Sequence, residues 1–147
     1  MGKFTLIGHP LGHSMSPMIH DALFKLKNRQ STYDLTDIAP ENLSSEAEFL
    51  KGLNGFNITI PHKVAVIDLI DEMADSAKRY NSVNCVDCRN GKLIGYNTDA
   101  EGFIRGLEEE LEVLQAHPLG MNEQAVDEAL ARLVLVVLER KHDAEQR

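Results

Sequence analysis

Segments that favour a strand alternate with segments that favour a helix over most of this chain, and that rhythm admits few architectures besides an α/β fold with a mainly parallel sheet. Lys3 to Gly8 reads as a short buried strand, and the glycines and proline of Gly8-His9-Pro10-Leu11-Gly12 mark a loop. Ser16 then suits an N-cap and Pro17 a first helical position. They open a helix to about Lys27 with Met18, Ile19, Ala22, Leu23 and Leu26 on its apolar face. Ser31 to Ile38 alternates as a half-exposed strand, and Pro40 to Leu50 predicts a helix that Asn42 or Ser44 can cap. Gly55 to Ile60 is the third strand, with Phe56, Ile58 and Ile60 on one face and Asn57 and Thr59 on the other.

Beyond Pro61, which suits the first position of a helix, Val64 to Ile70 continues helical, and a second short helix is expected from about Asp71 to Arg79. Ser82 to Val86 is strand-like, and Asn90-Gly91 is a strong hairpin signal leading into Lys92 to Tyr96. A helix follows from about Ala100 to Val113, with Phe103, Ile104, Leu107 and Leu111 on one face. Pro118-Leu119-Gly120 breaks the chain, and Asn122 can cap a last helix from Glu123 with an apolar stripe from Val126 to Leu138; a strand from Leu133 to Leu138 is the alternative. The expectation is a three-layer α/β domain whose mainly parallel sheet has one antiparallel strand and helices on both faces.

At 147 residues the chain suits one domain that buries a core without disulfides or metals. A formal net charge of -8 argues against nucleic-acid or acidic-membrane surfaces, and the 15 basic residues form no long run. No apolar run approaches bilayer length and the N-terminus lacks signal-peptide sections, so a cytoplasmic protein is expected. Gly2 does not read as a myristoylation site, because Leu6 stands where that signal wants Ser or Thr. Cys85 and Cys88 have C-x-x-C spacing, yet in a strand they face opposite sides and no second pair exists for zinc. His9, His13 and His20 lack a matching carboxylate or cysteine set, so no metal is expected.

The richest chemistry lies at Asn57-Ile58-Thr59-Ile60-Pro61-His62-Lys63, where a buried strand turns into a helix. Lys63 falls in the first turn, where the positive helix end and partial burial disfavour an ammonium and favour a role in proton transfer. The carboxyl end of a strand in an open α/β sheet is also where ligands of that architecture bind. Ser14 and Ser16 at the start of the first helix read either as caps or as an anion site for a carboxylate or phosphate. Asp99, after Asn97-Thr98, reads either as a capping carboxylate or as a catalytic one.

Taken together, His13-Ser14-Met15-Ser16-Pro17, Asn57 to Lys63, Ser82-Val83-Asn84 and Asn97-Thr98-Asp99 resemble the substrate-binding domain of the shikimate dehydrogenase family. The match covers about residues 3 to 112, so the resemblance implies a substrate-binding domain over 1–112 and a C-terminal helical segment over 113–147 that packs on it. It implies NADP-dependent oxidation of shikimate to 3-dehydroshikimate, in aromatic amino-acid biosynthesis. Ser14 and Ser16 would bind the substrate carboxylate, Asn57 and Thr59 would orient the ring, and Asn84 would bind a hydroxyl. Lys63 and Asp99 resemble the catalytic pair beside the hydroxyl being oxidised.

The sequence departs from that family where the cofactor should bind. No Rossmann glycine turn follows the Asn-Thr-Asp helix, and a strand over Leu133 to Leu138 would run into Glu139-Arg140-Lys141 instead. Gln115-Ala116 and Gln124-Ala125 both resemble the family's substrate-binding glutamine pair, and Cys85 replaces a common threonine. The expectations are therefore an enzyme with NADP held by a partner or by an unrecognised surface of this chain, a shikimate- or quinate-binding module without turnover, or a dimerisation scaffold. A separate cofactor-domain partner or a homo-oligomer is compatible with each.

Overall fold

The computed structural model describes residues 1–12 and 14–116, with backbone alone from 109 onward, so the helix expected from Glu123 and the 117–147 part of the C-terminal segment lie outside the described residues. The chain divides into two units, Met1–Gly102 and Phe103–Arg147, and the sheet lies wholly in the first. Its strands are β1 (Gly2–Gly8), β2 (Ser31–Asp37), β3 (Gly55–Ile58), β4 (Glu72–Met73), β5 (Cys85–Arg89) and β6 (Lys92–Tyr96). The helices are α1 (Ser16–Leu26), α2 (Ala47–Lys51), α3 (His62–Ala65), α4 (Asp75–Tyr80) and α5 (Asp99–Ala116). No described helix is long and apolar enough to cross a membrane.

The sheet runs β2-β1-β3-β5-β6-β4, and β5 is antiparallel to both neighbours while the remaining pairings are parallel. The hairpin between β5 and β6 turns on Asn90 and Gly91, both at positive φ, the conformation those residue types accept most easily. From β1 the chain moves outward to β2 and then returns past β1 to β3. Connections running in opposite directions leave helices on opposite faces, as the residues of β1 record. Phe4 meets Phe24 of α1 at 5.6 Å between ring centroids, whereas Ile7, three residues on and so on the other face, joins the cluster holding Leu50 of α2. That cluster is the main core, built on Ile7, Phe56, Ile58, Val86 and Leu93 of the sheet with Leu43, Leu50, Val66, Ala77 and Val83 over them.

Several elements differ from the sequence expectation. Pro40 to Leu50 is a 3-10 helix over Pro40–Glu46 followed by α2, without a side-chain cap from Asn42 or Ser44. The 64–70 helix is α3 plus a 3-10 turn over Val66–Leu69, and the segment from Asp71 contributes the edge strand β4 before α4 begins. β3 stops at Ile58, so Ile60 is 64% exposed instead of sharing the inner face with Phe56 and Ile58. In α1 the packed stripe is His20 and Phe24, while Met18, Ile19, Leu23 and Leu26 are exposed, because the helix lies over the β1–β2 edge and meets it through rings one turn apart.

Three backbone bonds close the carboxyl ends of β1, β2 and β3 on each other: Thr59 N–H to the Ile7 carbonyl, His9 N–H to the Ile60 carbonyl and Ile38 N–H to the Gly8 carbonyl. Gly8 permits this approach, since a Cβ there would lie 2.5 Å from Thr59 Cγ2, 2.8 Å from Leu11 Cδ2 and 3.1 Å from the Ile60 carbonyl oxygen. Gly8→Ala is therefore expected to destabilise the fold by about 1–3 kcal/mol, as overpacked interiors do. Urea denaturation of the variant beside the parent checks this; equal midpoints and slopes would show that the turn yields without strain.

Candidate functional site

The reversal of direction at β1 and β3 opens a crevice at their carboxyl ends, the place where open α/β sheets bind ligands. A cleft of about 600 Å³ occupies it. All seven residues singled out in the sequence line this cleft: Ser14 and Ser16 from the start of α1, Asn57 and Thr59 from the end of β3, Lys63 from α3, Asn84 from the segment before β5 and Asp99 from the start of α5. Leu6, Pro10, Leu11, Gly12, Met15, His20 and Ile58 complete the wall.

Lys63 Nζ donates to Asp99 Oδ2 at 2.6 Å. The lysine is half-buried and the carboxylate more open, with side-chain exposures of 33% and 54%. The other oxygen of Asp99 accepts the Asn84 Nδ2 hydrogen at 2.6 Å, and Asn97 Oδ1 accepts the Asp99 N–H. Asn84 is buried and its amide is fully engaged: Nδ2 also donates to Thr98 Oγ1 at 3.0 Å and Oδ1 accepts the Thr98 N–H at 2.9 Å. A ligand hydroxyl reaching Asn84 would exchange one of these bonds. Val83 N–H donates to the Lys63 carbonyl at 2.8 Å, so one short segment fixes both members of the ion pair.

α3 is four residues long and Pro61 precedes it as its capping residue after a cis peptide, not as its first helical residue. The expected helix-dipole environment of Lys63 is thus a single short turn, and the local charge that matters is Asp99. At α1 the boundary lies one residue earlier than the sequence suggests: Met15 is the N-cap, Ser16 and Pro17 are inside the helix, and no side chain caps it. The Ser14 hydroxyl instead accepts the Ser16 N–H at 3.2 Å.

Two features around the cleft carried no clear sequence signal. His9 Nδ1 and the Leu11 N–H both bond the Asp37 carboxylate, at 2.6 and 2.7 Å, and tie the loop after β1 to the end of β2. Behind Asn57, the Tyr33 hydroxyl donates to Asn57 Oδ1 at 2.9 Å, and the His20 ring stacks on Tyr33 at 3.9 Å and 8°. The cysteines face apart as the strand period requires: Cys85 lines a separate groove with Phe4 and Tyr33, and Cys88 packs against the core. Burial pushes both thiols up, Cys88 to about 11, which leaves little thiolate at neutral pH. Among the described residues no three His, Cys, Asp or Glu side chains converge as metal ligands.

Asn84→Ala is expected to cost about 1–3 kcal/mol, since it strands the Thr98 N–H in a partly buried position and frees Asp99; thermal or urea unfolding measures it. The bonds from His9 first and Leu11 second hold the Asp37 carboxyl below its usual range. Its contribution is therefore present at neutral pH and lost only as pH falls through that lowered value. The Leu11 amide proton shift should accordingly show an acid-range titration with its midpoint below that of an ordinary aspartate. In Asp37→Asn that titration should vanish.

The family model for the shikimate dehydrogenase substrate binding domain matches residues 6–86, more than half of the chain. The shikimate dehydrogenase (NADP(+)) of Shouchella clausii is 47% identical over 107 residues, covering 71% of this chain and 39% of that protein. The structure of shikimate 5-dehydrogenase from Thermus thermophilus in complex with NADP(H) and shikimate superposes with a TM-score of 0.71 at 32% identity, over 75% of this chain and 42% of the other. A ligand-free 5-ketofructose reductase of Gluconobacter gives a TM-score of 0.70 at 33% identity, over 74% and 40% of the two chains. The chain thus spans about two fifths of the length of the relatives it matches.

Proposed function

The chain belongs to the shikimate dehydrogenase substrate-binding domain family, and on that premise we propose that its cleft binds shikimate and presents one ring hydroxyl to Lys63 and Asp99 for oxidation. The observation that carries this reading is the Lys63–Asp99 pair, 2.6 Å apart, in a cleft whose other polar side chains are Ser14, Ser16, His20, Asn57, Thr59 and Asn84. A ring bearing several hydroxyls and one carboxylate matches such a wall. The carboxylate goes to Ser14 and Ser16 at the start of α1, an end that suits an anion. Asn57 and Thr59 orient the ring, and Asn84 acts chiefly by holding Asp99, with a hydroxyl contact open to it by exchange.

Forming a carbonyl from an alcohol requires the hydroxyl proton to leave, so a base in hydrogen-bond reach of that oxygen is needed. A hydroxyl bridging Lys63 Nζ and Asp99 Oδ2 can pass its proton to the pair, and the lysine's charge stabilises the oxygen as negative charge develops on it. In the reverse direction the same pair returns the proton. NADP, the cofactor named for the relatives, accepts hydride when bound. The residues described do not fit it, because no two glycines of the chain stand two apart and no strand-to-helix turn can form a Gly-x-Gly-x-x-Gly cradle. NADP then belongs to a separate cofactor-domain partner or to residues beyond those described. The same glycine pattern favours, as the second reading, a module that holds shikimate or quinate without turnover.

Calorimetric titration of the 147-residue chain with shikimate, quinate and NADP separately tests both. Shikimate is expected to bind, and Ser14→Ala or Ser16→Ala to weaken it roughly tenfold, the worth of one hydrogen bond to a charged group. NADPH formation with both ligands present should not exceed that of Lys63→Ala. No heat with shikimate would overturn the proposed ligand, and Lys63-dependent turnover would place the cofactor site in this chain.

A further inference from the structure

The proposed ligand roles leave unexplained why Tyr33, on the strand next but one to β3, reaches into the wall of the cleft. Tyr33 is only 6% exposed, its hydroxyl donates to Asn57 Oδ1 at 2.9 Å, and its ring lies flat against His20 at 3.9 Å. His20 and Asn57 both line the cleft itself. The orientation of the Asn57 amide follows from its two neighbours. Its Nδ2 faces the Asn84 carbonyl at 3.4 Å, and a flipped amide would set two oxygens against each other there. Oδ1 must therefore face Tyr33, and Tyr33 must be the donor.

With Oδ1 satisfied by the phenol and one Nδ2 hydrogen directed at Asn84, the second Nδ2 hydrogen remains for the cleft. Building on the ligand reading above, we propose that Tyr33, clamped by its stack on His20, is a positioning residue that locks Asn57 as a hydrogen-bond donor and so selects a ligand with an acceptor oxygen at that position. Burial, reinforced by Cys85, pushes the phenol up to about 12, with the Ser16 hydroxyl acting in the opposite sense, so the proton that Tyr33 donates is retained throughout the neutral range. Burial lowers His20, which favours the neutral ring as the stacking partner. Without the phenol Oδ1 loses its donor, the long 3.4 Å contact with the Asn84 carbonyl is left to hold the amide, and discrimination falls.

The test pairs Tyr33→Phe, which keeps the ring and its stack, with Asn57→Ala and the double variant. Y33F is expected to weaken shikimate binding about five- to tenfold, but to have little further effect in the N57A background, since it acts through Asn57. A loss of the same size in both backgrounds, or no loss in either, overturns the proposal. Side-chain amide NMR of the unliganded chain reads the lock independently of any ligand. The Asn57 Nδ2 proton pair should shift toward the positions of exposed asparagines in Y33F while the Asn84 pair keeps its own, and an unmoved Asn57 pair overturns the proposal. If the parent fails to bind shikimate, the ligand reading falls and this NMR result still decides the positioning role. His20→Ala, which leaves the hydroxyl but removes the ring beneath it, should move the same amide in the same direction and serves if Y33F does not fold.

Discussion

Asn84 joins the elements on which the cleft depends. Its carbonyl accepts the Ile58 N–H at the end of β3, its N–H donates to the Tyr96 carbonyl at the end of β6, and its side chain grips Thr98 and Asp99. The preceding residue, Val83, is fully buried and bonds the Lys63 carbonyl. Lys63 and Asp99 are 36 residues apart in sequence, and they meet because this segment holds the backbone of one and the carboxylate of the other. A polar group so placed is worth its desolvation only when all its hydrogen bonds are made. That condition confines Asn84 to one arrangement and confines the ion pair with it.

The sheet supplies the frame. Apolar residues of β1, β3, β5 and β6 pack against the helices on one face, and the three strand ends at β1, β2 and β3 are closed on each other by backbone bonds. The chain ends its strands there with polar side chains facing the opening, so the rigid part and the chemical part of the domain are successive residues of the same segments. Ile58 lies in the core and Thr59 lines the cleft. Gly8 makes this economy possible by letting the β3–α3 turn pass close to the end of β1.

Membership in the shikimate dehydrogenase substrate-binding domain family fits this division. The family match, residues 6–86, holds Ser14, Ser16, Asn57, Thr59, Lys63 and Asn84, Asp99 follows it, and the relatives carry more than half their length beyond what this chain covers. The proposed proton chemistry and ring recognition would both act through side chains set at strand ends and at the starts of the helices beside them. Hydride acceptance needs a nicotinamide in contact with the reacting carbon, and its binding calls on a different set of backbone turns.

The sequence by itself determined the strand and helix rhythm, the Asn90-Gly91 hairpin and the inward set Phe56 and Ile58, which follow from local rules: strand period and positive φ at particular residue types. Seven of the residues that line the cleft came from four motifs taken together as a family resemblance, not from a local rule. Only the tertiary structure decided that α1 packs through His20 and Phe24 instead of its more apolar stripe, that Asp71 to Met73 leads into an edge strand, and that Ile60 faces solvent. It alone also brought Tyr33 to Asn57 and Asp37 to His9, pairs separated by 24 and 28 residues. Periodicity fixes which residues share a face of one element, but the energy of that face depends on what another element brings to it. That partner is set by the order of strands in the sheet, a property of the whole chain that no local window contains.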